Sequence, residues 1–332
     1  MTGLAENNKG RRFIIYGAGA IGGVVAGHLT LAGNDVILIG RSGHINDIRQ
    51  RGLRFITPTG THILQLTSVT TPNDVGFRAG DAILLCVKSQ NTDEALRDLR
   101  DVVEDVPVFC LQNGVRNEEI AAQYFPRVYG VMVRVGGVFV TNGEVIARRD
   151  PPGWLIMGRY PEGTDELVDT VAEDLRKAGF FVLVTPDVMP YKWGKLMLNL
   201  ANAIGAITDA RGGDNSRIIR ATQQEAQEIL SQGSIRWISN EELALEWPDS
   251  TIRPRNIIDT KEQSSTWQSL ARRQGSVETD FLNGEIVRLA ERLGIQAPIN
   301  ERLLRITQQM AAEHELPGKY TPAELLELLG LN

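Results

Sequence analysis

The sequence predicts an α/β N-terminal domain followed by an all-helical C-terminal domain. Three observations carry that expectation. Continuous apolar runs alternate with helical stretches as far as Pro186. Strand patterning nearly vanishes after it. A glycine-rich turn sits between the first strand and the first helix. The 332 residues also suit two domains at about 150 residues each.

The elements follow in order. Phe13-Ile14-Ile15-Tyr16 reads as a short buried strand, Ala20–Leu31 as a helix closed by Gly33-Asn34, and 36–39 as a second strand. This β-α-β unit implies parallel strands and a right-handed crossover. Runs 53–56 and 62–66, joined through Pro58 and Gly60, predict a hairpin. Runs 82–87 and 106–111 are two more strands, followed by helical segments near 91–100 and 116–124. Continuous rather than alternating apolar runs fit strands covered on both faces. Residues 128–140 are β-rich, with further strand signals at 144–147, 154–157 and 180–184. From Met189 helical periodicity dominates: 189–208, 215–240, 276–293, 299–315 and 321–329. The expected domains are therefore 11–188 and 189–332.

Composition excludes several classes. A net charge of −6 argues against a nucleic-acid-binding face. Apolar residues at 42% and charged residues at 23% are wrong for a disordered chain. Cys86 and Cys110 cannot build a disulfide framework, and each ends an apolar run, which suggests buried thiols in a reducing compartment. Arg11-Arg12 before an apolar stretch mimics a twin-arginine export signal. That stretch ends at His28 with no cleavage pattern and is shorter than the ~20 residues of a membrane span. A cytoplasmic protein with no membrane partner is expected.

Gly17-Ala18-Gly19-Ala20-Ile21-Gly22 is G-x-G-x-x-G between a strand and a helix, the context of a Rossmann-type dinucleotide site. Gly17 allows the tight turn, Gly19 the approach of a pyrophosphate, and Gly22 the packing of helix on strand. The helix N-terminus offers free N–H donors there. An NAD site usually ends the second strand with an acid. This chain has Gly40-Arg41-Ser42, and an arginine pairs with a 2′-phosphate, so NADP (NADPH) is favoured over NAD. Lys88 and Asn113 lie just past the C-terminal ends of neighbouring strands, where open α/β sheets bind ligands.

Lys192, Lys195, Asn199 and Asn202 form one polar stripe on an otherwise apolar helix. A stripe facing solvent is the plainer explanation, but solvent faces are usually charge-rich and mixed. A cleft needing a cation and amides explains this set better. Partial burial lowers a lysine's pKa, which suits Lys195 as a general acid for hydride reduction of a ketone. The four histidines are scattered with no metal-ligand spacing, so no metal is expected. Glu278 falls in the first turn of the predicted 276–293 helix, where an acid equally answers the helix dipole. Asp280 and Glu285 read as solvent residues. Ser265 has little local support as a ligand.

These pieces, in this order, resemble the ketopantoate reductase (2-dehydropantoate 2-reductase) family. The matches are GAGAIGG at 17–23, CVKSQNT at 86–92, LQNG at 111–114, KWGKLMLN at 192–199, SSTWQS at 264–269 and ETDFLNGEIVRLA at 278–290. The resemblance implies a Rossmann-type domain, a 6-phosphogluconate-dehydrogenase-like helical domain, and an active site between them. It implies NADPH-dependent reduction of ketopantoate to (R)-pantoate, in pantothenate biosynthesis. It implies Lys195 as proton donor, Asn113 near nicotinamide and substrate, Lys88 and Arg41 on the cofactor, Asn199 and Ser265 on substrate, and Glu278 orienting the nicotinamide side or the substrate hydroxyl. One departure touches the substrate side: the family's second asparagine is replaced by Ala203, with an amide displaced to Asn202. The segment between Gln268 and Glu278 is also one residue longer than usual. A different 2-keto acid on the same fold, a non-catalytic NADP(H)-binding sensor and an opine-type dehydrogenase are the competing readings. The intact Lys195, Asn113 and Glu278 argue against the sensor, and no histidine is placed for opine chemistry. The long amphipathic C-terminal helices make a homodimer reasonable.

Overall fold

The computed structural model describes residues 11–208, 214–260 and 264–331. Its N-terminal half runs β1 (Arg12–Tyr16), α1 (Ala20–Leu31), β2 (Asp35–Ile39), α2 (Ser42–Arg51), β3 (Leu53–Thr57), β4 (Gly60–Leu64), β5 (Thr67–Val69), β6 (Asp81–Leu85) and α3 (Thr92–Arg100). It continues through β7 (Val108–Cys110), α4 (Asn117–Ala121), β8 (Val128–Val135), β9 (Gly137–Val138), β10 (Glu144–Ala147), β11 (Arg149–Asp150), β12 (Gly153–Arg159), α5 (Glu166–Lys177) and β13 (Phe181–Val184).

Short aliphatic runs build the central sheet. Its order is β13-β12-β8-β7-β6-β1-β2-β5, parallel except where β12 meets β8. β1 explains why the runs are continuous. Phe13 and Ile15 enter the core shared with Val24, Val25 and Leu29 of α1, while Ile14 enters the opposite core with Leu96 and Leu99 of α3. Both faces are covered, so both alternating sets are apolar. The chain winds from β1 outward to β2 and β5, then returns to β6, β7 and β8. The switch point, where such sheets bind ligands, lies between the ends of β1 and β6. A second sheet, β4-β3-β10-β9, packs on α1. A Cβ at Gly23 would stand 2.5 Å from Val145, and one at Gly27 2.7 Å from Phe55. The small residues that mimic a membrane face serve this close packing.

The C-terminal half holds α6 (Met189–Asn199), α7 (Ala201–Thr208), α8 (Ser216–Gln232), α9 (Asn240–Glu246), α10 (Ser265–Ala271), α11 (Asn283–Leu293), α12 (Pro298–Ala312) and α13 (Pro322–Leu328). Five details differ from expectation. The helix expected over 189–208 breaks at Leu200 into α6 and α7. The helix expected over 215–240 stops at Gln232, because Gly233 and the left-handed Ser234 end it. Ser239 and Glu242 then form a capping box that starts α9. Ser264 caps α10, a helix the pattern did not announce. The region expected as one helix over 276–293 is a 3-10 turn, Glu278–Phe281, a break at Leu282 (φ −120°, ψ −94°), and then α11. A short strand, β14 (Asn256–Ile257), pairs with β11. No helix among the described residues is long and apolar enough to cross a membrane.

Candidate functional site

A cleft of about 1230 Å³ opens between the sheet's C-terminal edge and the helical half. That exceeds the ~300–1,000 Å³ of an ordinary small-molecule pocket and suits a dinucleotide beside a small substrate. Gly17, Ala18, Gly19, Ala20, Ile21, Arg41, Lys88, Asn113, Lys195, Asn199, Asn202, Ser265 and Glu278 all line it. Gly22 stands behind the wall.

The glycine turn is tightly constrained. Gly17 has φ +117°, and a Cβ there would lie 2.5 Å from the backbone of Cys86 and Val87. A Cβ at Gly22 would lie 2.1 Å from the Gly17 carbonyl oxygen. A Cβ at Gly19 would meet nothing within 4 Å, because that position opens onto the cleft. The N-terminus of α1 has no side-chain cap and no acid in its first turn. Unsatisfied N–H donors and a positive dipole end are therefore offered to the cleft, a cradle that fits a pyrophosphate. Arg41 is exposed just past β2, with no ion-pair partner among the described residues.

Lys88 and Asn113 tie the two halves together. Lys88 Nζ donates to Ser269 Oγ at 2.9 Å and Gln274 Oε1 at 2.5 Å, both from the helical half. Burial lowers its pKa; Glu278 opposes the shift, and Arg272 and Arg41 add to it. The Glu278 carboxylate accepts the Ser89 backbone N–H at 3.2 Å. The Asn113 carbonyl accepts from Ser89 Oγ (3.1 Å) and Asn117 Nδ2 (2.8 Å), which fixes its backbone. Its side-chain oxygen accepts Asn199 Nδ2 at 3.2 Å. Asn113 and Asn199, from opposite halves, thus form one amide pair in the cleft.

Lys195 lies on the same wall of α6. Its ammonium has no hydrogen-bond or ion-pair partner among the described residues. Burial lowers its pKa to about 8, and Arg134 and Arg149 push in the same direction. Asn202 also faces the cleft, whereas Ala203 is fully buried in the core of α7. An amide at 202 therefore lines the cleft, and the side chain at 203 does not.

Three expectations change. Lys192 is not part of the cleft stripe. It is 2% exposed, forms an ion pair with Glu118 of α4 and donates to the Gln112 carbonyl at 3.2 Å. Burial pushes the Glu118 carboxyl above its ordinary range, and Lys192 pulls it back. Glu278 does not sit in the first turn of an α-helix but in the 3-10 turn that precedes α11. Glu285 is not a solvent residue: it is buried and bridged by Arg116, whose guanidinium lies 4.4 Å over the Phe281 ring. Asp280 is exposed.

The sequence reading missed Arg134 and Arg149, which also line the cleft. The only signal for Arg134 was a charged residue inside the apolar run of β8, and Arg149, in the two-residue β11, gave none. His44 lines the cleft as well, but it accepts the Gly143 N–H, and burial lowers its pKa to about 4.

Comparison with known proteins gives a consistent result. Residues 13–162 match the family described as Ketopantoate reductase PanE/ApbA, and residues 187–311 match its C-terminal counterpart. The chain is 34% identical over 297 residues to a 2-dehydropantoate 2-reductase of Pyrococcus horikoshii, covering 87% of this chain and 94% of that one. A PanE/ApbA family ketopantoate reductase structure from Ralstonia eutropha superposes with TM-score 0.75 at 28% identity, covering 91% of this chain and 99% of that one. A D-mandelate dehydrogenase structure with NADH and anilino(oxo)acetate superposes with TM-score 0.78, covering 91% and 99%. At 20% identity, that likeness shows the fold alone.

Proposed function

The chain belongs to the ketopantoate reductase PanE/ApbA family, a family of oxidoreductases, and on that premise we propose that it reduces 2-dehydropantoate (ketopantoate) to (R)-pantoate with NADPH. The observation that carries the reading is Lys195. It is an unpartnered ammonium of lowered pKa, in one cleft with an uncapped glycine-turn helix.

Gly17 through Ile21 and the α1 N-terminus would hold the pyrophosphate, Arg41 the 2′-phosphate, and Lys88 a further anionic or ribose oxygen. Bound there, the nicotinamide supplies hydride to the carbonyl carbon. Lys195 holds a proton at Nζ toward the carbonyl oxygen, stabilises the charge that develops on it, and then donates the proton. A pKa near 8 leaves Lys195 mostly protonated at neutral pH, yet a better donor than an ordinary lysine. Asn113 and Asn199 present amides that turn from each other to the substrate. Asn202 and Ser265 complete the polar lining, and Glu278 accepts from the substrate hydroxyl.

The test is NADPH oxidation by the purified chain with ketopantoate, pyruvate and branched 2-keto acids. Preferred turnover of ketopantoate is expected. Preference for another 2-keto acid would reassign the substrate. No turnover with any of them would leave a cofactor-binding protein without this chemistry.

A further inference from the structure

The substrate half of the cleft holds more positive charge than the proton donor accounts for. Arg134 sits near the end of β8, on the strand face that carries Gly130 and Met132. Met132 packs in one cluster with Ile238 and Leu243. Gly194 of α6 meets the same segment, since a Cβ there would lie 1.9 Å from the Ile238 carbonyl oxygen. Two residues beyond Ile238, the Asn240 side-chain oxygen accepts Arg134 Nη2 at 2.6 Å. Ile238 is therefore a shared floor for Met132 and Gly194, and Arg134 and Lys195, the residue after Gly194, both line the cleft, near enough for Arg134 to lower the Lys195 pKa. Arg149 comes from the facing strand end, with its side chain laid across Gly136, whose Cβ would lie 3.3 Å from Arg149 Cδ and Nε.

No carboxylate pairs with either arginine among the described residues. Arg134 Nε is shielded from solvent and has no acceptor. Burial lowers the Arg134 pKa with no acid near enough to offset it. Arg134 is half-buried, an arginine stays charged under such conditions, and a charged edge shielded from water is normally paired. A guanidinium held at one corner by a neutral amide, beside the proton donor, lacks an anion. The planar fork of arginine matches a carboxylate.

We propose that Arg134, supported by Arg149, seats the carboxylate of the 2-keto acid next to Lys195. This rests on the reduction proposed above. The seat orients the substrate so that its adjacent carbonyl oxygen faces Lys195 Nζ. It selects 2-keto acids over neutral ketones and 2-keto amides, and the role of Ser265 and Asn199 shifts toward the remainder of the substrate.

The experiment uses the full chain with Arg134→Met and Arg134→Lys. Arg134→Met should raise KM for the preferred 2-keto acid on the order of 100-fold, with a much smaller fall in kcat. Arg134→Lys should recover part of that loss, and NADPH affinity, read by fluorescence titration, should stay unchanged. Oxalate is the second probe, a planar carboxylate pair read by calorimetry on the NADP⁺ complex. Wild type should bind it and Arg134→Met should not. If Met at 134 prevents folding, the KM rise in Arg134→Lys reads the same interaction. An Arg134→Met enzyme with wild-type KM, or a wild type that does not bind oxalate, overturns the seat. Wild type that turns over no 2-keto acid, yet binds oxalate through Arg134, overturns the reduction and leaves the seat standing.

Discussion

The two ends of the cleft are built from different material. At the end proposed for the cofactor the lining is backbone: the Gly17 turn, the uncapped start of α1, and strand ends that almost touch it, with Cys86 2.5 Å from where a Gly17 Cβ would stand. At the end proposed for the substrate the lining is side chains from segments far apart in the chain: Asn113, Arg134, Lys195, Ser265 and Glu278. A backbone site tolerates little change because a glycine has no smaller substitute. A side-chain site can change one residue at a time; on α7 the side chain at 203 is a buried alanine and the amide lining the cleft is Asn202. α6 condenses the contrast into one turn. Lys192 is spent on the buried Glu118 beneath the cleft, while Lys195 keeps its ammonium unpaired within it.

Lys195→Met breaks the comparison hardest. Turnover should fall by about 10²–10⁴-fold while NADPH binding survives, checked by steady-state rates beside fluorescence titration. An active mutant would dissolve the chemical distinction between the ends. Lys192→Met should act on the fold instead. Leaving Glu118 buried without its partner should cost about 3–5 kcal/mol in urea unfolding. Replacing Glu118 with leucine in the same chain should restore part of it, because the two sites are coupled. Equal damage to turnover at native stability would erase the difference between the two lysines. Arg41→Ala probes the cofactor end: it should weaken NADPH by about 10–100-fold and NADH far less. Equal loss of both would mean that Arg41 does not read the 2′-phosphate.

The smallest effect is in pH. Reduction needs protonated Lys195, so kcat/KM should be level below about 8 and fall as pH rises through that value; oxidation of the hydroxy acid should show the opposite limb. Removing Arg134 takes a positive neighbour away and should move both limbs to higher pH. An unmoved limb would separate Arg134 from Lys195.

The fold was largely legible because its signals are local. β1, α1 and β2 follow from apolar runs and a glycine turn, and the fully buried Phe13, Ile14 and Ile15 show why the first run carries no alternation. Lys195, Asn199 and Asn202 were legible through one helical period, which survives the break at Leu200 between α6 and α7. The same period placed Lys192 with them, because an angle on a wheel does not say what stands opposite. Glu118, 74 residues earlier, decided that. Glu285 was misplaced for a like reason, since its partner Arg116 lies 169 residues away.

By itself the sequence determined the strand-turn-helix cofactor cradle, the order of an α/β half before a helical half, and the candidate proton donor, since each depends on neighbours within a turn or a strand. Only the tertiary structure decided which charges are paired. It neutralised Lys192 and Glu285, left Lys195 unpartnered, and brought Arg134 and Arg149 to the same cleft. The physical reason is distance. Desolvation and Coulomb interaction act over a few ångströms in space, and no spacing along the chain reports which segments will meet there.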